Sequence, residues 1–192
     1  MAADEVTPEA KVRRLEERAL ACLARPLEAR ARVDLDRAAV VVRIWQYPAF
    51  EPYRSWCLIR GVAARAERWL LRQTTWERFA DHERARDPLK QAAFMVDPEP
   101  APSIDVHDAV VGTDFAIAFI ERLGKLSLPA LVASEGLGID GVENGIETER
   151  GRVRLQWWCE GPAAWRAFTE GVERLRVDLE AALLAGATSG PR

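Results

Sequence analysis

The feature that most constrains this chain is an abrupt change of hydrophobic period near its C-terminus. Val142 to Glu149 and Arg152 to Trp158 flank Arg150-Gly151, which puts a glycine where a tight turn needs positive φ. This predicts a β-hairpin. On its second strand Val153, Leu155 and Trp157 point one way, while Arg152, Arg154, Gln156 and Trp158 point the other. Gly161-Pro162 then opens a helix in which Trp165, Phe168, Val172, Leu175 and Leu179 recur three and four residues apart. A helix with one continuous apolar stripe must cover something, and the hairpin's apolar face is at hand. The opposite face is left for water, a second layer or a partner.

The rest of the chain reads as further strands framed by helices. Thr7-Pro8-Glu9 supplies a capping hydroxyl and a proline at the first helical position, and Val12, Leu15, Ala19, Cys22 and Leu23 follow at helical spacing, predicting a helix over 8–24 that Pro26 stops. Val40 to Gln46 and Ser55 to Ile59 are β-branched and aromatic, separated by a loop carrying Pro48 and Pro52, as in a hairpin with a long connection. A third strand fits Ala66 to Thr75 through Trp69 and Leu71, with Trp76 beside it, although 65–68 would also tolerate helix. Residues 77–102 are rich in charge and proline, which predicts an excursion or a short helix. Ser103 to Val111 alternates as a half-buried strand near an edge. Thr113 or Asp114 caps a short helix bearing Phe115, Phe119, Ile120 and Leu123, with Gly124 just past its end. The expected fold is a single α+β domain over 1–185, an antiparallel sheet of five to six strands packed by N- and C-terminal helices, with 186–192 as a flexible tail.

Composition excludes several classes of function. In 192 residues, 48% are hydrophobic and 30% charged, as in a folded domain, and a net charge of -3 offers no global field for a phosphate backbone. Nucleic acid is therefore not an expected partner. No apolar run approaches the roughly 18 residues of a membrane helix, and the acids among the first twenty residues do not suit a secretory signal. A cytoplasmic protein without a membrane partner is expected. Cys22, Cys57 and Cys159 lack C-x-x-C spacing, which points to reduced thiols rather than a disulfide framework or a zinc site.

Candidate chemistry is sparse. The two histidines, His82 and His107, each have carboxylates beside them in sequence, but neither stands in a helical metal-binding register. A Cys57 nucleophile with His107 as base can be written down, although the residues around Cys57 resemble no nucleophile turn. Gly136 to Gly141 has neither the P-loop lysine nor a helix after it, and reads as a turn leading into the hairpin. No cofactor is called for. The seven tryptophans carry more weight, because tryptophan anchors both cores and interfaces. Pleat alternation turns Trp158 away from Trp157 and places it on the face that carries Arg154, near Glu160, as a binding surface would be.

Here the chain resembles a bacterial protein family to which no activity is attached. The resemblance rests on Gly138-Ile139-Asp140-Gly141, the strand pair, and Trp157-Trp158-Cys159-Glu160-Gly161-Pro162-Ala163-Ala164-Trp165, set against a pattern G-L-D-G followed by W-W-x-x-G-P-x-x-W. Ser55-Trp56, the Trp76 region and Asp87-Pro88-Leu89 are also similar, so it spans residues 40 to 180. Ile139 stands where the family has leucine, and Val142 to Gly145 departs from its threonine and aromatic. The resemblance implies a common fold and transfers no catalytic residue.

Three readings follow. A non-enzymatic protein that binds another protein, in the manner of small acidic immunity proteins, fits the size, acidity and Trp-bearing sheet. A hydrolase would use His107 with Asp105 or Asp108, and Asp140 or Glu143 brought close by folding. A small-ligand site between sheet and excursion would show a cavity lined by Trp45, Trp56 or Trp158. The binding candidates are Trp158, Arg154, Glu160, Trp56, Asp140 and Glu143.

Overall fold

The computed structural model describes residues 7–28, 35–87, 101–128, 140–148 and 153–188. The chain enters through helix α1 (Pro8–Ala24), where Thr7 accepts a hydrogen bond from Ala10 N at 3.3 Å and Pro8 stands where no backbone donor is needed. Three long strands follow as an antiparallel meander, β1 (Asp36–Pro48), β2 (Tyr53–Ala63) and β3 (Ala66–Trp76). Helix α2 (Arg78–Arg86) leads towards β4 (Ile104–Val111), which pairs with β3 at the edge of the sheet. Helix α3 (Thr113–Gly124) precedes β5 (Val142–Thr148), which returns to pair with β1, and β6 (Arg154–Trp158) closes the other edge. A 3₁₀ turn (Ala163–Trp165) opens the last helix, α4 (Arg166–Thr188). The result is one six-stranded antiparallel sheet in the order β4-β3-β2-β1-β5-β6 with helices on it, an α+β fold.

The pleat sorts side chains onto two faces. On the first, Val42, Ile44, Trp56, Leu58, Trp69, Leu71, Ala109, Ile146 and Trp157 meet Phe119 of α3 and the predicted stripe of α4, forming the main core. Each large apolar side chain removed from water here contributes roughly 1.5–3 kcal/mol. The second face is covered by α1 over β2 and β3, where Ala19 and Leu23 pack with Trp76, Tyr47 and Tyr53. Val12 and Leu15 of α1 also hold Ala85 of α2.

Two buried arginines rise from this second face, Arg43 of β1 and Arg72 of β3. Arg43 Nη1 donates to Leu23 O at 3.0 Å, and Arg72 Nη1 donates to Pro26 O. α1 has no basic residue in its last turn. The sheet thus supplies the positive charge that the carbonyl end of the helix favours.

Several boundaries differ from expectation. α3 is capped by Gly112 with no side-chain hydrogen bond, not by Thr113 or Asp114, and Gly124 is its last helical residue rather than a stop beyond it. α4 runs to Thr188 instead of fraying at Gly186, because Gly186 lets the helix lie on Ala109, whose Cβ a side chain there would approach to 2.6 Å. The Arg150-Gly151 turn, the Gly136–Gly138 loop, most of the excursion and the tail beyond Thr188 lie outside the described residues.

The β2–β3 hairpin turns through Ala64 and Arg65, with φ of 50° and 66°. Both central residues are left-handed, as a two-residue type I′ turn requires, yet neither is Asn or Gly. Ala64→Asn with Arg65→Gly is expected to raise stability by about 1 kcal/mol, read as a higher urea midpoint at unchanged m-value. An unchanged or lower midpoint would count against this account of the turn.

Candidate binding surface

α1 packs over β2 and β3 and meets β1 at Arg43 and Tyr47, which leaves the second face of β5 and β6 outside the main packing of the described helices. Register places Arg43, Trp45 and Tyr47 of β1, Glu143, Gly145 and Glu147 of β5, and Arg154 and Trp158 of β6 on this side. Together with Leu20, Ala24, Ala49, Tyr53 and Arg78, most of them line a cavity of about 440 Å³, within the usual size range of ligand sites.

Trp45 forms the floor. Its indole lies against Gly145, where an added Cβ would overlap Cζ2 and Cε2. Nε1 donates to Glu143 Oε1 at 3.2 Å, and the guanidinium groups of Arg43 and Arg154 lie 4.3 and 5.5 Å from the ring centroid. Tyr47 and Tyr53 stack at 4.8 Å to form one wall, and Arg78 lies 5.3 Å over the Tyr53 ring. Burial pushes the Tyr47 hydroxyl up to about 12 against the opposing pull of Arg43, so it stays protonated and able to donate. Trp158 forms the other wall. Its indole needs Gly141 to be a glycine, since a Cβ there would sit 2.7 Å from Trp158 Nε1 and 2.5 Å from Cys159 Sγ. The rim is apolar. Leu20 is exposed, and the two residues that follow lining positions Ala49 and Arg78 are Phe50 and Phe79, 70% and 47% exposed.

The arginines differ in how they are engaged. Arg43, buried, reaches Glu147 at 3.4 Å, and Arg78 lies 3.5 Å from Glu16. Arg154 stands opposite Glu147 across the strands, but Glu147 is turned to Arg43. Among the described residues, Arg154 has its cation–π contact with Trp45 and no carboxylate partner.

The expected binding residues therefore separate. Glu143, Arg154 and Trp158 come together around the cavity. Glu160 is exposed and lines a different cavity, of about 490 Å³, between the start of α4 and the first face of β1 and β5. Asp140 is exposed at the bend before β5 and lines neither cavity. Trp56 is a correction. Its place in β2 opposite Ile44 puts it wholly inside the first-face core, with Arg176 of α4 lying 5.2 Å over its ring, so it offers nothing to a binding surface. Arg43, Tyr47, Tyr53 and Arg78 were not anticipated. The lone arginine inside Val40–Trp45 was the available signal, because a charge in an otherwise apolar run must be paired if buried.

The nucleophile readings do not assemble. Cys57 pairs in register with Arg72 on the second face, whereas His107 pairs with Gln73 and faces the other way. Burial pushes the Cys57 thiol up to about 12, the reverse of an activated thiolate. His107 Nε2 lies 2.8 Å from Asp105 Oδ2, but both are largely exposed on the edge strand and line neither cavity. Its other proposed partner, Asp108, is on the opposite face, bound by Arg72 at 2.7 and 2.8 Å. His82 sits where α1 meets α2, 3.1 Å from Glu16 and edge-on to Trp76, and burial lowers its pKa. Beside it the buried Asp81 accepts from Trp76 Nε1, Arg84 Nη2 and Ser103 N at 2.7–2.8 Å, a hub that ties α2 to both ends of the excursion. Among the described residues no group of three His, Cys, Asp or Glu could hold a metal ion, and no helix is long and apolar enough to cross a membrane.

The C-terminal motif has a structural meaning. Trp157 and Trp165 both meet Phe168 edge-on in the core, Gly161 turns the chain at φ 74° from β6 towards α4, and Pro162 precedes the 3₁₀ turn. Trp158 alone faces the cavity. No protein-family model matches the chain, and no curated protein or solved structure matches it significantly.

Proposed function

We propose that the chain is a cytoplasmic protein-binding domain, immunity-like in acting by occupying a partner rather than by catalysis, and that the second face of β1, β5 and β6, left open by the described helices, is its recognition surface. The observation that carries this reading is the composition of that surface. Tryptophan, tyrosine and arginine converge on one concavity, and Phe50 and Phe79, next in sequence to its lining residues Ala49 and Arg78, are exposed, which is the makeup of binding hot spots. The hydrolase reading has no comparable support, because His107 lines neither of these cavities.

Photo-crosslinking in the host cell tests the assignment. A photoreactive residue at Phe50 is expected to give one discrete protein adduct that Trp158→Ala abolishes, and the same probe at Val177, on the outer side of α4, none. Adducts of equal yield from both positions, or from Val177 alone, would sink it.

A further inference from the structure

Building on that reading, we propose that the concavity receives a carboxylate side chain of the partner protein, seated on Arg154 and flanked by an apolar residue. The chain as a whole is acidic, with a net charge of -3, yet this cavity is lined by Arg43, Arg78 and Arg154 against the single carboxylate of Glu143. That carboxylate is already held by Trp45 Nε1, and two of the three arginines have glutamates of their own. What remains is Arg154, at the cavity wall, its guanidinium 5.5 Å over the Trp45 ring and its donors unmatched by any described carboxylate. The planar fork suits bidentate capture of a carboxylate, and its place over the Trp45 ring adds a cation–π contact beside the bound anion. Trp158, Tyr47 and Tyr53 around it form apolar walls for a neighbouring aliphatic or aromatic side chain. A cationic guest would face three guanidinium groups. A neutral one would leave Arg154 desolvated without a partner, which is costly.

The test uses the full chain, ¹⁵N-labelled, and follows the indole N–H resonances of Trp45 and Trp158. Three capped peptides serve as probes, Phe-Glu-Leu-Glu and its counterparts with glutamine or lysine in place of glutamate, together with free glutamate. The glutamate peptide is expected to shift both resonances and to bind at least about tenfold more tightly than the glutamine peptide, the worth of a charge-assisted pair. Arg154→Glu is expected to reverse the preference towards the lysine peptide. Equal affinity for the glutamate and glutamine peptides, a preference that survives Arg154→Glu, or no shift with any peptide overturns the acidic guest. Free glutamate binding as tightly as the peptide overturns the protein-borne source. The crosslinking experiment is independent of peptide charge, so a retained Phe50 adduct beside a failed titration would refute the guest and keep the surface.

Discussion

Gly145→Ala is expected to cost about 3 kcal/mol or more of folding stability, a large part of the 5–15 kcal/mol that holds a domain of this size. The sign makes the test sharp. In a strand interior, alanine in place of glycine would by itself stabilise the chain by roughly 0.5–1 kcal/mol through reduced freedom of the unfolded state. Here the new methyl group would overlap the Trp45 benzo ring, lying 2.6 Å from Cη2 and closer still to two other ring atoms. The ring has little freedom to retreat. It is 1% exposed, tied through Nε1 to Glu143 and bounded by Arg43 and Arg154. Urea unfolding of Gly145→Ala, Trp45→Leu and the double variant reads the effect. If overlap is the cause, the double variant is less destabilised than the sum of the singles, because leucine vacates the space the methyl group needs. A Gly145→Ala protein as stable as the parent would overturn the account. The cavity should respond as well, since displacing its floor moves Arg154 off the position from which we expect it to bind.

How much of this was legible in the sequence depended on whether one segment or several decided the outcome. The C-terminal hairpin and helix were legible because alternation and helical period are local, and the stripe from Trp165 to Leu179 is buried at every position. The Thr7 cap and the bounds of α1 were legible for the same reason. The division of the tryptophans was only half legible. Alternation separated Trp157 from Trp158, but nothing local could show that Trp56 would lie under α4 while Trp45 became a cavity floor, because both sit in central strands, where elements distant in sequence decide which ring is covered. The pairing of β5 with β1 is what brings Gly145 under Trp45 and Glu143 to its Nε1, across roughly a hundred residues of chain. No window of sequence contains that contact. Thr113 and Asp114 both carry capping side chains, yet the helix begins one residue earlier than a Thr113 cap would allow and two earlier than an Asp114 cap would.

The second large effect concerns the pair that holds α1 to the sheet. Arg72 and Asp108 are 1% and 2% exposed in their side chains and meet through two bonds of 2.7 and 2.8 Å. Removing one partner strands the other's charge away from water, and Arg72→Met or Asp108→Leu is each expected to cost about 3–5 kcal/mol. Removing both should restore much of this, because two apolar side chains of similar bulk replace a desolvated ion pair. Recovery should nevertheless be incomplete. Arg72 also donates to Pro26 O just beyond α1, and without it that carbonyl loses a partner at a buried position, which costs about 1–3 kcal/mol. The deficit should therefore be local. In native-state hydrogen exchange the double variant is expected to show faster exchange at the last turn of α1 than the parent, while amides of α4, on the other side of the sheet, exchange at rates set by global stability alone. Single variants each within about 1 kcal/mol of the parent, or a double variant as destabilised as the sum of the two, would show that the pair does not anchor the helix. Faster exchange shared equally by α1 and α4 would place the missing stability in the whole fold rather than at the helix end. Because α1 supplies Leu20 and Ala24 to the edge of the concavity, loosening it should also weaken capture at Arg154, which the peptide titration would read as a loss of affinity without reversal of preference.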